Sequence, residues 1–171
     1  MSKTIKLAIV LIFIFIIGTF FLSLNKNAEY DTKYLVGKKI STVELKSFYN
    51  NDYLTNEDFN KNDFILINFW ASWCSPCILE HPILMQLSEE KKIDILGINF
   101  KDKKNNADKF LKDLGNPYDY LAKDELGKQS IIFGIYGIPE SILIDSNYTI
   151  LKKFVGPLNI DDLNLIKSIV K

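Results

Sequence analysis

Eighteen consecutive residues, Leu7 to Leu24, carry no charge and are interrupted only by Gly18, Thr19 and Ser23. As a helix they would span roughly 27 Å, the hydrocarbon thickness of a bilayer. A cleaved signal peptide would have a shorter apolar region ending at a small-residue site. Asn25-Lys26-Asn27-Ala28 offers no such site and no cysteine for lipidation, so residues 1–24 are expected to be an uncleaved membrane anchor. Lys3 and Lys6 precede the run, and no comparable positive charge follows it at once. That asymmetry places the N-terminus in the cytoplasm and exports the rest. From Asn25 to Val36 the pattern turns polar and aperiodic, as in a linker, which leaves residues 37–171 as one domain of ordinary size.

Within that domain the pattern alternates between short apolar runs and helical periodicity. Phe64 to Trp70 is nearly all apolar, the signature of a central strand covered on both faces. From Cys74 to about Glu90, Cys77, Ile78, Leu84 and Leu87 recur at helical spacing, and Pro76 falls in the first turn, where a missing N–H costs nothing. Ile93 to Phe100 reads as a second strand. Asn105 is the expected N-cap of a helix ending at Gly115-Asn116-Pro117. After a less regular stretch with a short helix near Gly127 to Phe133, Ser141–Ile144 and Ile150–Val155 flank Asp145-Ser146-Asn147, a hairpin turn. Asn159 caps a last helix with Leu163, Ile166, Ile169 and Val170 on one face. A β-α-β-α order feeding a hairpin and a closing helix is that of the α/β thioredoxin fold, a mixed central sheet flanked by helices. Val43, Leu45, Phe48 and Tyr49 supply an added N-terminal hairpin, and Thr55 with Asp58 a capped turn.

Charge narrows the function. Without Lys3 and Lys6 the chain carries 19 basic and 21 acidic residues, a formal charge of −2. All basic residues are lysine, so the guanidinium forks favoured for phosphate recognition are missing. Nothing here suggests nucleic acid.

The only two cysteines lie in Trp73-Cys74-Ser75-Pro76-Cys77, between a strand and a helix. As a staple so small a ring contributes only about 2 kcal/mol, against about 4.7 for a 100-residue loop. A redox role is the better reading. The attacking sulfur in disulfide exchange must be a thiolate. Cys74, at the start of the helix, would gain from the unpaired N–H groups and the helix dipole and would be the exposed nucleophile. Cys77, one turn inside, would resolve the mixed disulfide. A zinc site would have to complete its ligand set with His81 and carboxylates, which is unlike structural zinc. A copper-binding CxxC module is the less implausible metal reading, but no metal or other cofactor is expected beyond the redox-active cysteine pair.

The segments FWASWCSPCILEHP (69–82) and GIYGIPESILID (134–145) resemble thioredoxin-like proteins of the cytochrome c maturation type, the CcmG/DsbE family. GINFKD (97–102), LGNPY (114–118) and VGPL (155–158) add to the resemblance, which runs from about Leu35 to the C-terminus. It implies a cis-proline at Pro139 facing the dithiol, where the residues alone allow an ordinary turn proline. Gly137 and Ile138 would then offer backbone to an extended substrate. Asn68 stands where ordinary thioredoxins have a buried aspartate, and asparagine suits the maturation family. Glu80, three residues after Cys77, is then the expected proton acceptor for Cys77, with a solvated helix position as the alternative. Glu140 would add acidity to the groove or lie on the surface. Trp73 borders the groove, and His81, the sole histidine, is expected to pack structurally, with Ser75 and Pro76 supporting the turn.

The resemblance implies a reductant anchored singly in a bacterial inner membrane, its domain in the periplasm. Its substrate would be an apocytochrome c C-x-x-C-H disulfide or a maturation partner, and a membrane thiol transporter of DsbD or CcdA type would supply electrons. A general periplasmic reductase of TlpA type shares the fold, and a peroxiredoxin-like peroxidase would need its cysteine placed differently.

Overall fold

The computed structural model describes residues 3–24, 35–40, 44–59 and 61–171. Residues 25–34 of the expected linker and Val43 of the expected hairpin lie outside them. The chain divides into two compact units, residues 1–31 and 32–171. In the first, helix α1 (Lys3–Leu24) contains a stretch long and apolar enough to cross a membrane, and the side chains of residues 3–23 are exposed.

The second unit is built on a five-stranded sheet. Its strands are β3 (Phe64–Trp70), β4 (Asp94–Phe100), β5 (Tyr120–Asp124), β6 (Glu140–Asp145) and β7 (Ile150–Val155), in the order β5-β4-β3-β6-β7. The β3–β4 and β4–β5 pairs are parallel, and β3–β6 and β6–β7 antiparallel. Helices α2 (Ser75–Glu90), α3 (Lys104–Leu114), α4 (Lys128–Ile132) and α5 (Ile160–Ile169) complete the thioredoxin-like arrangement. The short strands β1 (Glu44–Lys46) and β2 (Tyr53–Thr55) form the added antiparallel hairpin. Phe48 and Tyr49 lie beyond β1 in its connection, where the Phe48 N–H donates to Leu121 O and ties the hairpin to the β5 edge.

Because side chains alternate across a strand, β3 feeds two cores. Leu66 and Trp70 enter a cluster with Leu84 and Leu87 of α2, Phe110 and Leu111 of α3, and Leu163 and Ile166 of α5. Ile65, Ile67 and Phe69 enter the opposite cluster with Leu96, Ile98, Ile142 and Ile144. That second face is covered by Phe133 and Ile135 around the end of α4 and by Leu45 and Phe59 near the hairpin, with Leu35 and Ile40 packed against it. Leu35, placed by its sequence in the linker, thus packs in the domain.

Two elements differ from expectation. Strand β5 falls in the stretch that sequence left irregular, because YLAKD is short and partly polar, and it is fixed as a strand by its parallel pairing with β4. Helix α3 begins before Asn105, with Lys103 as N-cap and no side-chain cap. The Asp102 carboxylate accepts the Lys103 N–H at 2.7 Å, so the turn is organised one residue upstream of the cap itself.

Candidate active site

Cys74 caps α2 and is disulfide-bonded to Cys77, with their Cα atoms 5.3 Å apart. The Cys77 N–H donates to Cys74 Sγ at 3.2 Å, which holds that sulfur against the first turn of the helix. Ser75 and Pro76 are exposed between them, and Pro76 lies in the helix's first two positions, as expected. The expected exposure of Cys74 is not found in this oxidised state. Cys74 is 4 % exposed and Cys77 2 %, so burial does not distinguish them. Both cysteines belong to the helix-side cluster, against which Ile138 packs.

The loop ahead of Cys74 is held by the turn that follows β4. Asp102 accepts the Ser72 N–H at 2.6 Å and the Ser72 hydroxyl at 2.8 Å, and also takes the Asn99 amide at 3.1 Å. Trp73 is 56 % exposed, and its indole N–H donates to Lys101 O at 3.2 Å. With Phe100, Ile131, Tyr136, Gly137 and Ile138 it lines a cavity of about 350 Å³. The Ile138–Pro139 bond is cis. The sheet register that pairs Phe69 with Glu140 sets the Pro139 turn at the same end of the sheet as the dithiol loop.

A buried polar chain runs from the sheet to α2, the helix that carries the dithiol. The register aligns Asn68 of β3 with Gly97 of β4 on one side and Ser141 of β6 on the other. Asn68 Nδ2 donates to Glu80 Oε1 at 2.8 Å and to Ser141 Oγ at 3.0 Å, and Asn68 Oδ1 accepts the Tyr118 hydroxyl at 2.9 Å. Glu80 Oε2 accepts the Leu158 N–H at 2.9 Å. Asn68 and Glu80 are both fully buried, which removes the solvated-helix reading of Glu80. Burial pushes the Glu80 carboxyl up to about 7, against the opposing pull of the Leu158 and Asn68 hydrogen bonds, with the Asp162 charge adding to the rise. Burial likewise pushes the Tyr118 hydroxyl well above its ordinary range, helped by the Glu80 charge. Glu80 lies three residues beyond Cys77, and residues at that helical spacing are neighbours on one face.

Glu140 does not join this chain, and it does not lie on the surface. Strand alternation turns it to the opposite face of the sheet from Ser141, where it is 2 % exposed. Its Oε1 accepts the Tyr136 and Gly137 N–H groups at 3.1 and 3.0 Å. Its Oε2 lies 2.7 Å from Lys153 Nζ, an ion pair without hydrogen-bond alignment, and Lys153 also donates to Gly134 O at 2.6 Å. His81 is buried, edge-on to Phe110, with Nε2 3.1 Å from Gly115 O. Burial lowers its pKa from the usual 6.5, opposed by the Gly115 and Leu114 carbonyls.

Sequence reasoning missed Tyr118, Ser141, Asp102 and Lys153 as parts of this framework. Tyr118 and Asp102 stand in the LGNPY and GINFKD segments that carried the resemblance, yet nothing local shows where their side chains reach. Among the described residues no group of three His, Cys, Asp or Glu side chains could hold a metal ion.

The Redoxin family model matches residues 35–167. The chain is 35 % identical over 164 residues to the thiol:disulfide interchange protein DsbE of Haemophilus influenzae, covering 93 % of this chain and 90 % of that one. It is 38 % identical over 127 residues to the thiol:disulfide interchange protein HelX of Rhodobacter capsulatus, covering 74 % and 72 %. A solved structure assigned as a DsbE thiol:disulfide interchange protein of Chlorobium tepidum superposes with a TM-score of 0.66 at 28 % identity, over 79 % of this chain and 95 % of that one.

Proposed function

The chain belongs to the redoxin family as a DsbE-type thiol:disulfide interchange protein, and from this we propose that it is a membrane-anchored reductant serving cytochrome c maturation. Its substrate is the disulfide of an apocytochrome c C-x-x-C-H segment, or of a maturation partner that carries those electrons onward. The domain lies on the periplasmic side of the inner membrane, tethered by α1, and a DsbD- or CcdA-type transporter returns it to the dithiol state.

The observation that carries this reading is the Cys74 sulfur held at the helix start, with a buried carboxyl three residues beyond Cys77 on the same helix. In the reduced protein the helix start favours the Cys74 thiolate. That thiolate attacks one sulfur of the substrate disulfide, forming a mixed disulfide and releasing a substrate thiolate. Glu80 takes the Cys77 proton, and the Cys77 thiolate attacks Cys74 Sγ, which releases the second substrate thiolate. Two electrons pass to the substrate, both substrate thiolates are protonated, and the protein is left with the Cys74–Cys77 disulfide. A carboxyl with a pKa near 7 can take that proton and give it up again at neutral pH. Trp73, Gly137, Ile138 and Pro139 border the substrate strand, with Asn68, Ser75, Pro76 and His81 in support.

A Cys77→Ser variant tests the reading. It is expected to trap a mixed disulfide through Cys74 with an oxidised C-x-x-C-H peptide and to trap little of an unrelated disulfide such as insulin, while Cys74→Ser traps neither. Equal trapping of both substrates would assign the protein to the general TlpA-type reductases. Trapping by Cys74→Ser would reverse the roles of the two cysteines.

A further inference from the structure

Tyr118 is buried, 50 residues beyond Asn68 in the chain, and reaches it across β4. It can do so because Gly97, the β4 residue paired with Asn68, has no side chain. A Cβ there would lie 2.7 Å from the Tyr118 ring. Trp70 stacks on the ring at 5.4 Å and 21°, so the ring is confined by packing and its hydroxyl is delivered to one atom, Asn68 Oδ1.

A buried primary amide can present either its N–H or its carbonyl to a neighbour. Ser141 does not decide between them, because a hydroxyl both donates and accepts. Leu158 N can only donate, and it occupies the other Glu80 oxygen. We propose that Tyr118 is a positioning residue for disulfide exchange: its hydroxyl engages the Asn68 carbonyl, so that the Asn68 N–H, and not that carbonyl, faces Glu80. The proposal rests on the reading of Glu80 as the group that handles the Cys77 proton.

The consequence is electrostatic. An N–H aimed at a carboxyl stabilises its anion, whereas a carbonyl aimed at it requires the protonated form. Without the Tyr118 hydroxyl, Asn68 Oδ1 is a buried acceptor with no donor and the amide is free to turn. Glu80 then holds its proton to higher pH. The other groups facing Glu80 are the Leu158 N–H, the Asp162 carboxylate on α5 and, in the reduced protein, Cys77 on its own helix. None of these changes when the Tyr118 hydroxyl is removed. The neutral phenol acts through its hydrogen bond and not through charge.

The test is the ¹³C titration of the Glu80 carboxyl in oxidised wild type and Tyr118→Phe, alongside the pH profile of exchange in both and in each with Glu80→Gln added. The Glu80 midpoint is expected to rise by roughly half a unit to one unit, the effect of one hydrogen bond. The exchange profile should move with it, and the movement should vanish in the Glu80→Gln background. An unshifted Glu80 midpoint in Tyr118→Phe overturns the proposal. A shifted midpoint with an exchange profile indifferent to Glu80→Gln leaves Tyr118 orienting the amide and removes the proton role of Glu80 instead. Should Tyr118→Phe not fold, 3-fluorotyrosine at position 118, a stronger donor of the same shape, is expected to lower the Glu80 midpoint. No shift there overturns the proposal equally.

Discussion

Glu80 is the residue at which burial and chemistry meet. Its carboxyl titrates near 7 in the fold against an ordinary value of 4.5, and burial is the chief cause. Between those values the folded protein holds a proton that the unfolded chain has lost. The contribution of Glu80 to stability is therefore fully present below pH 4.5 and is lost as pH rises through 7. At 1.36 kcal/mol per unit the swing is about 3 kcal/mol. Glu80→Gln removes it, so the stability of wild type minus variant, from urea unfolding of the oxidised proteins, is expected to fall by that order between pH 4.5 and 8. His81 acts in the opposite sense, since its lowered pKa costs stability as pH falls below 6.5, but it is common to both proteins and cancels in the difference. A flat difference would mean that Glu80 ionises in the fold as it does in the open chain.

At the scale of elements, the β6–β7 hairpin braces the loop that borders the dithiol. Lys153 of β7 and Glu140 of β6 have side chains 0 % and 3 % exposed, and between them they take the N–H groups of Tyr136 and Gly137 and the carbonyl of Gly134. Removing one partner of a buried ion pair strands the other charge and typically costs about 3–5 kcal/mol, whereas replacing both can be nearly neutral. Lys153→Met is thus expected to lose about that much in denaturant unfolding, and adding Glu140→Gln should restore most of it. A loss under about 1 kcal/mol, typical of a surface pair, would show that the pair does not carry the loop. This brace was hidden in the sequence, where Lys153 reads as a strand-surface lysine and Glu140 as a groove acid. Their partnership exists only because antiparallel pairing brings β7 beside β6 and alternation turns both side chains inward.

For the whole molecule, the family match begins at Leu35 and the apolar helix ends at Leu24. Helix α1 is 22 residues long, about 33 Å at 1.5 Å per residue. That is enough to span a bilayer, and the proposed orientation keeps Lys3 and Lys6 on the cytoplasmic side. The protein is expected to remain with membranes after alkaline carbonate extraction, with residues 35–171 open to protease from the periplasmic side. Recovery of a soluble species beginning near Asn25 would show a cleaved signal instead.

The patterns that were legible are those a short stretch of chain imposes on itself. The apolar run of α1, the strand β3 buried from Ile65 to Trp70, the helix opened by Cys74 and the Asn159 cap, whose side chain accepts the Asp161 and Asp162 N–H groups, each follow from local periodicity or local hydrogen bonding. The dithiol was legible for the same reason, since a CxxC at a strand-to-helix junction carries its chemistry in four residues. What the sequence left open were matters of partnership. Strand β5 is a strand because β4 pairs with it. Asn68, Glu80, Ser141 and Tyr118 lie up to 73 positions apart and become one hydrogen-bonded chain only when β4, β3 and β6 align in register and α2 packs across them. The same packing strips water from Glu80, and desolvation by distant segments is what moves its pKa. Periodicity could mark the helix that carries Glu80, but only the folded sheet beneath could turn that carboxyl from a surface charge into a buried group with a raised pKa.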